Sequence, residues 1–262
     1  MTWRPGDLAD ALRQPRVAFS EKRHRPWPLP GGPWVIGQTW NDLLFAHWRV
    51  DEALLREHVP PQIPIDTWDG DAWLAVTPFV VTGARVRFTL PLPPRARFEE
   101  INVRTYATIG GKPGIWFFSL DAASRLAVEV ARRVYRIPYF PAEMSARHDG
   151  ERVEYSHRRT QRDAPAASFA AEYAPTDRAR TAAHGSFEDW ACERYCLYTV
   201  DGDERVLRAE IHHPPWPLQP ADATIARNTM GDELGLDLAE GPILHFAQRQ
   251  DVVFWLPYPC QP

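Results

Sequence analysis

Residues 99–120, EEINVRTYATIGGKPGIWFFSL, place two runs rich in Val, Ile, Thr and aromatic residues on either side of a glycine turn, which reads as a β-hairpin. The second run, IWFFSL, is apolar on both faces. A strand of that kind is buried on both sides, so its hairpin partner lies inside a sheet and not at a free edge. The partner is nonetheless polar on one face: Glu100, Asn102, Arg104 and Tyr106 fall on one side of the strand, and Ile101, Val103 and Thr105 on the other. Charged groups in such a place pair with each other or meet a ligand. The face therefore carries either a Glu100–Arg104 ion pair on a solvated sheet surface or the wall of a pocket.

The rest of the chain repeats the pattern of strands joined by turns. WVIGQTWNDLLFAHWRV reads as a strand. It is followed by a short helix in DEALLREHVP, with Asp51 as N-cap and a stop before Pro60-Pro61. WDGD is a turn, WLAVTPFVV a buried strand and TLPLPPRARF a proline-rich loop. SLDAASRLAVEVARRVYRIPYF predicts a helix with Asp121 as N-cap, Leu126, Val130 and Val134 recurring on one side, and Pro138 as terminator.

Beyond it, EMSARHDGERVEYSHRR predicts a hairpin and ASFAAEYAP a strand, followed by the polar loop TDRARTAAHGS. CERYCLYTVDGDERVLRAEIHHPPW gives two strands around VDGDE. A helix over Asp222–Leu234 and a closing strand in ILHFAQRQDVVFWLPY complete the chain. Residues 1–33 form a proline-rich leader with one marginal helix, lying on a single domain of residues 34–262. RPWPLPGGPW covers a sheet edge or serves as a docking peptide. Hairpins outnumber crossover connections, so the expected class is α+β, mainly β, with a large antiparallel sheet that is curled or closed.

Composition removes several functions. Thirty Lys+Arg against 34 Asp+Glu gives a net charge of −4, which argues against nucleic acid as a partner. No run of about 18 apolar residues occurs and the N-terminus has no apolar h-region, so neither membrane insertion nor secretion is expected. Three cysteines, Cys192, Cys196 and Cys260, form no framework and fit a reducing, cytoplasmic setting; with 192–196 read as a strand, the first two lie about 13 Å apart, too far to bridge. No phosphate loop, GxGxxG, GxSxG, HExxH or paired CxxC is present, and no cofactor is implied. His212 and His213 are adjacent, so on a strand they face opposite ways and only one can enter a given site, which argues against a metal. His47 and His245 sit among apolar neighbours, as hydrogen-bonded core or rim histidines.

WNDLLFAHWRVDEALLREHVP, DTWDGDAWLAVTPF, EEINVRTYATIGGKPGIWFFSLDAASRLAVEVAR, IPYFPAEM, ERYCLYT, AEIHHPPWPLQPA and GPILHFAQRQDVVFW, in that order over about residues 34–257, resemble the YqjF-like uncharacterised family, a domain of unknown function in the acetoacetate decarboxylase-like superfamily. The resemblance implies an antiparallel sheet curled into a cone-like barrel, with helices outside and a cavity within. It also implies a carboxylate-bearing strand, which EEINVRTY matches with Glu100, and an arginine at the cavity. In the decarboxylases a lysine after a proline forms a Schiff base. The corresponding segment, IPYFPAEM, has Tyr139 and Phe140 after Pro138 and no lysine, and the chain's two lysines, Lys22 and Lys112, lie in the leader and in a glycine turn.

The expected protein is thus a small-molecule cavity protein, with no metal and no cofactor, that takes an anionic organic acid. Arg104 holds the anion. Glu100 and Tyr139 serve as acid–base groups for lyase, hydratase or isomerase chemistry. Asn102, Tyr106, His47 and His213 line the binding site. The alternative is a non-catalytic binding or scaffold protein that retains the barrel. A homo-oligomer is compatible with either.

Overall fold

The computed structural model describes residues 13–89, 97–238 and 241–260. The strands β1 (Ile36–Val50), β2 (Ala72–Val86), β3 (Phe98–Ile109) and β4 (Lys112–Ala122) form an antiparallel series. The β3–β4 hairpin closes at Ile109↔Lys112 through Gly110 and Gly111, at φ 59° and 69°. A two-residue turn of this kind needs positive φ at both central positions, which glycine adopts without steric cost.

Two closures turn the sheet on itself. Strand β4 pairs in parallel with β8 (Cys196–Val200), which turns into β9 (Val206–His212); β9 then meets β11 (Ile243–Phe254), and β11 meets β1. This ring is β9, β8, β4, β3, β2, β1 and β11. Strand β4 also pairs in parallel with β5 (Tyr139–Asp149), and the path runs on through β6 (Arg152–Arg159), β7 (Ser168–Pro175) and β10 (Gln219–Asn228) to β11. That second path makes a closed barrel of nine strands: β1, β2, β3, β4, β5, β6, β7, β10 and β11. Strand β12 (Tyr258–Pro259) adds to β9.

The two rings share the wall β4–β3–β2–β1–β11, which explains why WLAVTPFVV has no polar face: Ala72 through Val81 are all buried. With period two, Phe45, Ala75, Phe79 and Val81 pack into one core, while Leu44, Leu74, Val76, Ile101 and Val103 pack into the other, against Tyr155, Phe169 and Tyr173.

The helices are short. In α1 (Glu52–Arg56) the Asp51 carboxylate accepts from the Ala53 amide at 2.8 Å. Helix α2 (Arg125–Val134) lies against β4 and β5, and α3 (Phe187–Cys192) precedes β8. In the leader, residues 13–18 are helical, Gln14 donates to Thr39, and both Arg25 and Trp27 donate to the buried carboxylate of Glu210. Residues 1–12 and most of the proline-rich loop TLPLPPRARF lie outside the described residues. Among those described, no helix is long and apolar enough to cross a membrane.

Four expectations are corrected. Asp121 does not cap α2: β4 continues to Ala122, and Ser124 is the N-cap, its Oγ accepting from the Ala127 amide. Asp121 instead stands fully buried, receiving two hydrogen bonds from Arg159 at 2.8 and 2.9 Å and one from His157 at 2.8 Å. Leu126, Val130 and Val134 do not face the core; they are exposed, and the buried residue of α2 is Val128. The segment Asp222–Leu234 is not a helix. Residues up to Asn228 pair with β7, which overrides the helical preference of its alanines, and only Asp232–Leu234 make a 3-10 turn. Cys192 ends α3 and is not in the strand that begins at Cys196, and all three cysteines are free thiols.

Asp121 offers a test of this packing. Asp121→Asn removes the buried counter-charge of the Arg159 guanidinium and leaves only the half-exposed Glu233 at 3.5 Å, and urea denaturation should show a loss of about 3–5 kcal/mol. Glu143→Gln, which removes a solvent-exposed partner of Arg158, should cost less than about 1 kcal/mol. Equal effects would contradict this account of the wall.

Candidate functional site

The smaller ring encloses a cavity of about 750 Å³. Strand register sets its depth. At the rim, Ile36 lies beside Val86 and Phe254; further in, Trp40 lies beside Val81, which in turn pairs with Phe98. Glu100 comes next, opposite Phe79, then Asn102 opposite Thr77, and Arg104 opposite Ala75 lies deepest. Glu100, Asn102 and Arg104 all line the cavity and all are buried. Tyr139 reaches the same lumen because β5 starts there, with Tyr139 opposite Leu120 and Leu120 opposite Asn102. Arg132 of α2 fixes that start by donating to the Tyr139 carbonyl.

Burial pushes the Glu100 carboxyl up to about 8; its hydrogen bond with Tyr139 opposes the shift without cancelling it. At neutral pH Glu100 is therefore mostly a carboxylic acid, able to donate a proton or a hydrogen bond. Burial, and then the neighbouring Glu100, hold the Tyr139 phenol well above its ordinary value.

Arg104 has no carboxylate partner among the described residues, and the Glu100–Arg104 ion pair is not formed. Its guanidinium lies 5.1 Å from the centre of the Phe45 ring, and Nε has no hydrogen-bond partner. The Asn102 side-chain oxygen is also unpartnered. Arg194, which also lines the cavity, is committed: Nη1 donates to Asp66 at 2.6 Å and Nε to the Trp190 carbonyl. A buried cation without a counter-charge is costly unless something supplies one.

Of the adjacent histidines, His213 lines the cavity. His212 looks the other way, against Phe19 and His24 of the leader. Burial pushes His213 down to about 3, so it is neutral there. His47 and Tyr106 lie on the lumen side of their strands but do not line the cavity; they sit beneath its floor, because Phe187 and Trp190 of α3 pack over them at ring distances of 5.3 and 4.4 Å. His47 is held well below its ordinary value, by burial first and by Arg104 second.

Sequence reading did not single out Arg194, Trp40, Thr77, Cys192 or Trp216, which also line the cavity. The Glu193-Arg194 pair inside the aromatic- and cysteine-rich run WACERYCLY was the available sign for Arg194.

Neither lysine is among the cavity-lining residues. Lys112 lies 3.5 Å from Glu210, and Lys22 lies over the Phe19 ring. Among the described residues no group of three or more His, Cys, Asp or Glu side chains is placed to hold a metal ion.

The family model DUF2071, described as an uncharacterized conserved protein, matches residues 37–251. The uncharacterized protein YqjF of Bacillus subtilis (strain 168) is 46% identical over 229 residues, covering 87% of this chain and 93% of that protein. Among solved structures, the enduracididine biosynthesis enzyme MppR, complexed with the condensation product of pyruvate and imidazole 4-carboxaldehyde, matches with a TM-score of 0.62 and 12% identity, over 88% of this chain and 90% of that one. The acetoacetate decarboxylase of Legionella pneumophila matches with a TM-score of 0.57 and 12% identity, over 93% of each chain. An acetoacetate decarboxylase-like enzyme from Sphingomonas wittichii RW1 matches with a TM-score of 0.59 and 11% identity, over 90% and 98%. At these identities the likeness shows the fold, which is acetoacetate decarboxylase-like.

The raised Glu100 carboxyl predicts a pH dependence of stability. The folded protein keeps this proton up to about pH 8, whereas the unfolded chain releases it near 4.5, so between these values the folded state binds more protons and stability falls as pH rises. The histidines buried in neutral form slope the other way, but only up to about pH 6.5, where the unfolded histidines lose their charge. From pH 6.5 to 8 the wild type should lose up to about 1 kcal/mol per pH unit that Glu100→Gln does not lose. Urea melts at the two pH values decide it, and a constant difference between the two proteins would contradict the assignment.

Proposed function

The chain belongs to the DUF2071 family, and from that premise and its cavity we propose that it is an enzyme acting on a small organic acid by general acid–base chemistry, as a lyase, hydratase or isomerase, without a lysine imine. The observation that carries the reading is a buried guanidinium with no carboxylate partner, sharing one cavity with the buried side chains of Glu100 and Tyr139.

Arg104 binds the substrate carboxylate, its planar fork matching the two carboxylate oxygens. That contact supplies the missing counter-charge and holds the substrate in register with Glu100, four residues nearer the rim. Glu100 then donates its proton to a departing or polarised oxygen, and the Tyr139 hydroxyl donates a hydrogen bond to the carboxylate that remains. In the reverse direction the carboxylate takes a proton from the carbon next to a carbonyl or from a water. A group that titrates near the working pH serves in either role. Asn102, between the two, accepts a hydrogen bond from a substrate hydroxyl through its side-chain oxygen, which has no protein partner.

The position of Tyr139 where the decarboxylases carry their lysine region, and the placement of Lys22 and Lys112 away from the cavity, support chemistry without an imine. A fold neighbour complexed with pyruvate, the MppR enzyme, supports a carboxylic acid as the substrate class.

Two substitutions separate binding from chemistry. Arg104→Ala should abolish the thermal shift that organic acids produce in a metabolite panel. Glu100→Gln should keep that shift and lower turnover of any converted acid by about 100-fold or more. An unchanged response of Arg104→Ala to every acid that stabilises the wild type would sink the proposal.

A further inference from the structure

The cavity holds more than its polar groups account for. At about 750 Å³ it lies within the range of roughly 300–1,000 Å³ that encloses drug-sized molecules. The wall between Arg104 and the opening is a continuous aromatic surface. Trp40 stacks on Trp216 at 5.9 Å and meets Phe79 and Phe254 at 5.4 and 6.0 Å, while Phe45 meets Trp216 edge to face at 4.9 Å. At the opening, Leu126 and Val130 of α2, one turn apart, line the cavity while remaining 56% and 38% exposed. These exposed side chains face the cavity mouth, where a ligand passing through would cover them.

The charge balance inside is equally specific. Glu100 is mostly neutral at pH 7, His213 is neutral and Arg194 is paired with Asp66, which leaves Arg104 as the one cavity-lining cation at the deep end without a counter-ion among the described residues. Arg85, Arg97 and Arg125 also line the cavity, near the rim residues Val86, Phe98 and Leu126, so it is the deep interior that is complementary to a single negative charge attached to an apolar body.

We propose that the ligand is a monocarboxylate with an aromatic or medium-chain alkyl body. Its carboxylate enters first and rests on Arg104, its body lies along Trp40, Phe79 and Trp216, and its far end passes under Leu126 and Val130. This rests on the reading of Arg104 as the anion anchor and adds to it the size, polarity and orientation of the substrate. A short acid would occupy only the deep end and leave the aromatic wall uncovered. A short dicarboxylate would place its second charge against apolar rings.

The test is a titration of the intact protein, followed by tryptophan fluorescence and calorimetry, with butanoate, hexanoate, octanoate and 4-phenylbutanoate, and with 1-octanol as the uncharged control. Affinity should rise about fourfold per added methylene as the chain reaches the rim. Octanoate should bind at least tenfold more tightly than 1-octanol. Arg104→Met should remove that preference without weakening 1-octanol binding. Leu126→Asp, at an exposed position that leaves the fold intact, should weaken octanoate and spare butanoate.

If butanoate binds in an Arg104-dependent way and added length brings no gain, the substrate class is overturned while the anchor stands. If octanoate and 1-octanol bind the wild type equally, or if no acid binds, the anchor itself fails and the proposal with it. The comparison of octanoate with 1-octanol on the wild type decides this even where Arg104→Met does not fold.

Discussion

Closure of the sheet through β9 and β11, at Ile211↔Phe254 and His212↔Val253, determines what the polar face of β3 looks toward. In an open sheet Glu100, Asn102 and Arg104 would meet bulk water, and a Glu–Arg pair across one strand face would be an unremarkable surface feature. With the ring closed the same side chains meet a lumen walled by Trp40, Phe79 and Trp216. Desolvation then becomes the largest influence on each of Glu100, Tyr139 and His213. Closure itself depends on the wall shared by the two rings. Two-sided burial of β1 and β2 supplies apolar contact to both cores, and the Asp121–Arg159–His157 cluster ties β4 to β6 on the other side of that wall from the cavity.

Within that frame the two charged residues of β3 meet desolvation differently. Glu100 avoids the cost by keeping its proton. Arg104 keeps its guanidinium buried, and the described residues supply no carboxylate to pair with it. The result is a strand face that holds one guanidinium without a carboxylate partner and one neutral acid at fixed separation. Such preorganisation suits anion binding at the deep end and proton transfer nearer the mouth.

The sequence disclosed the face but not the depth. The glycine turn and the doubly apolar IWFFSL were enough to place β3 inside a sheet, and alternation then correctly assigned Glu100, Asn102 and Arg104 to one wall. The same alternation put Tyr106 in the site, and His47 was added to the binding residues without it; neither lines the cavity, for a definite reason. Helix α3, six residues in FEDWAC, floors the cavity and covers them, and so short a helix leaves no periodic pattern to read. The sequence could flag Arg194 but not its pairing, because its partner Asp66 is 128 residues away in sequence. Asp121 was misread because a carboxylate shortly before a helix looks the same whether it caps the helix or anchors a buried arginine. The strand at 222–228 was misread because its pairing with β7 is a non-local fact that alanine-rich local propensity contradicts.

The central claim is that the β3 face lies buried in a lumen where Glu100 stays protonated at neutral pH. Infrared difference spectroscopy between wild type and Glu100→Gln tests this most directly, through the carbonyl stretch of a neutral carboxylic acid. The account predicts that this band is present at pH 7 in the wild type, absent from the variant, and lost with a midpoint near pH 8. Loss of the band near pH 4.5, the value of a solvated glutamate, would contradict it.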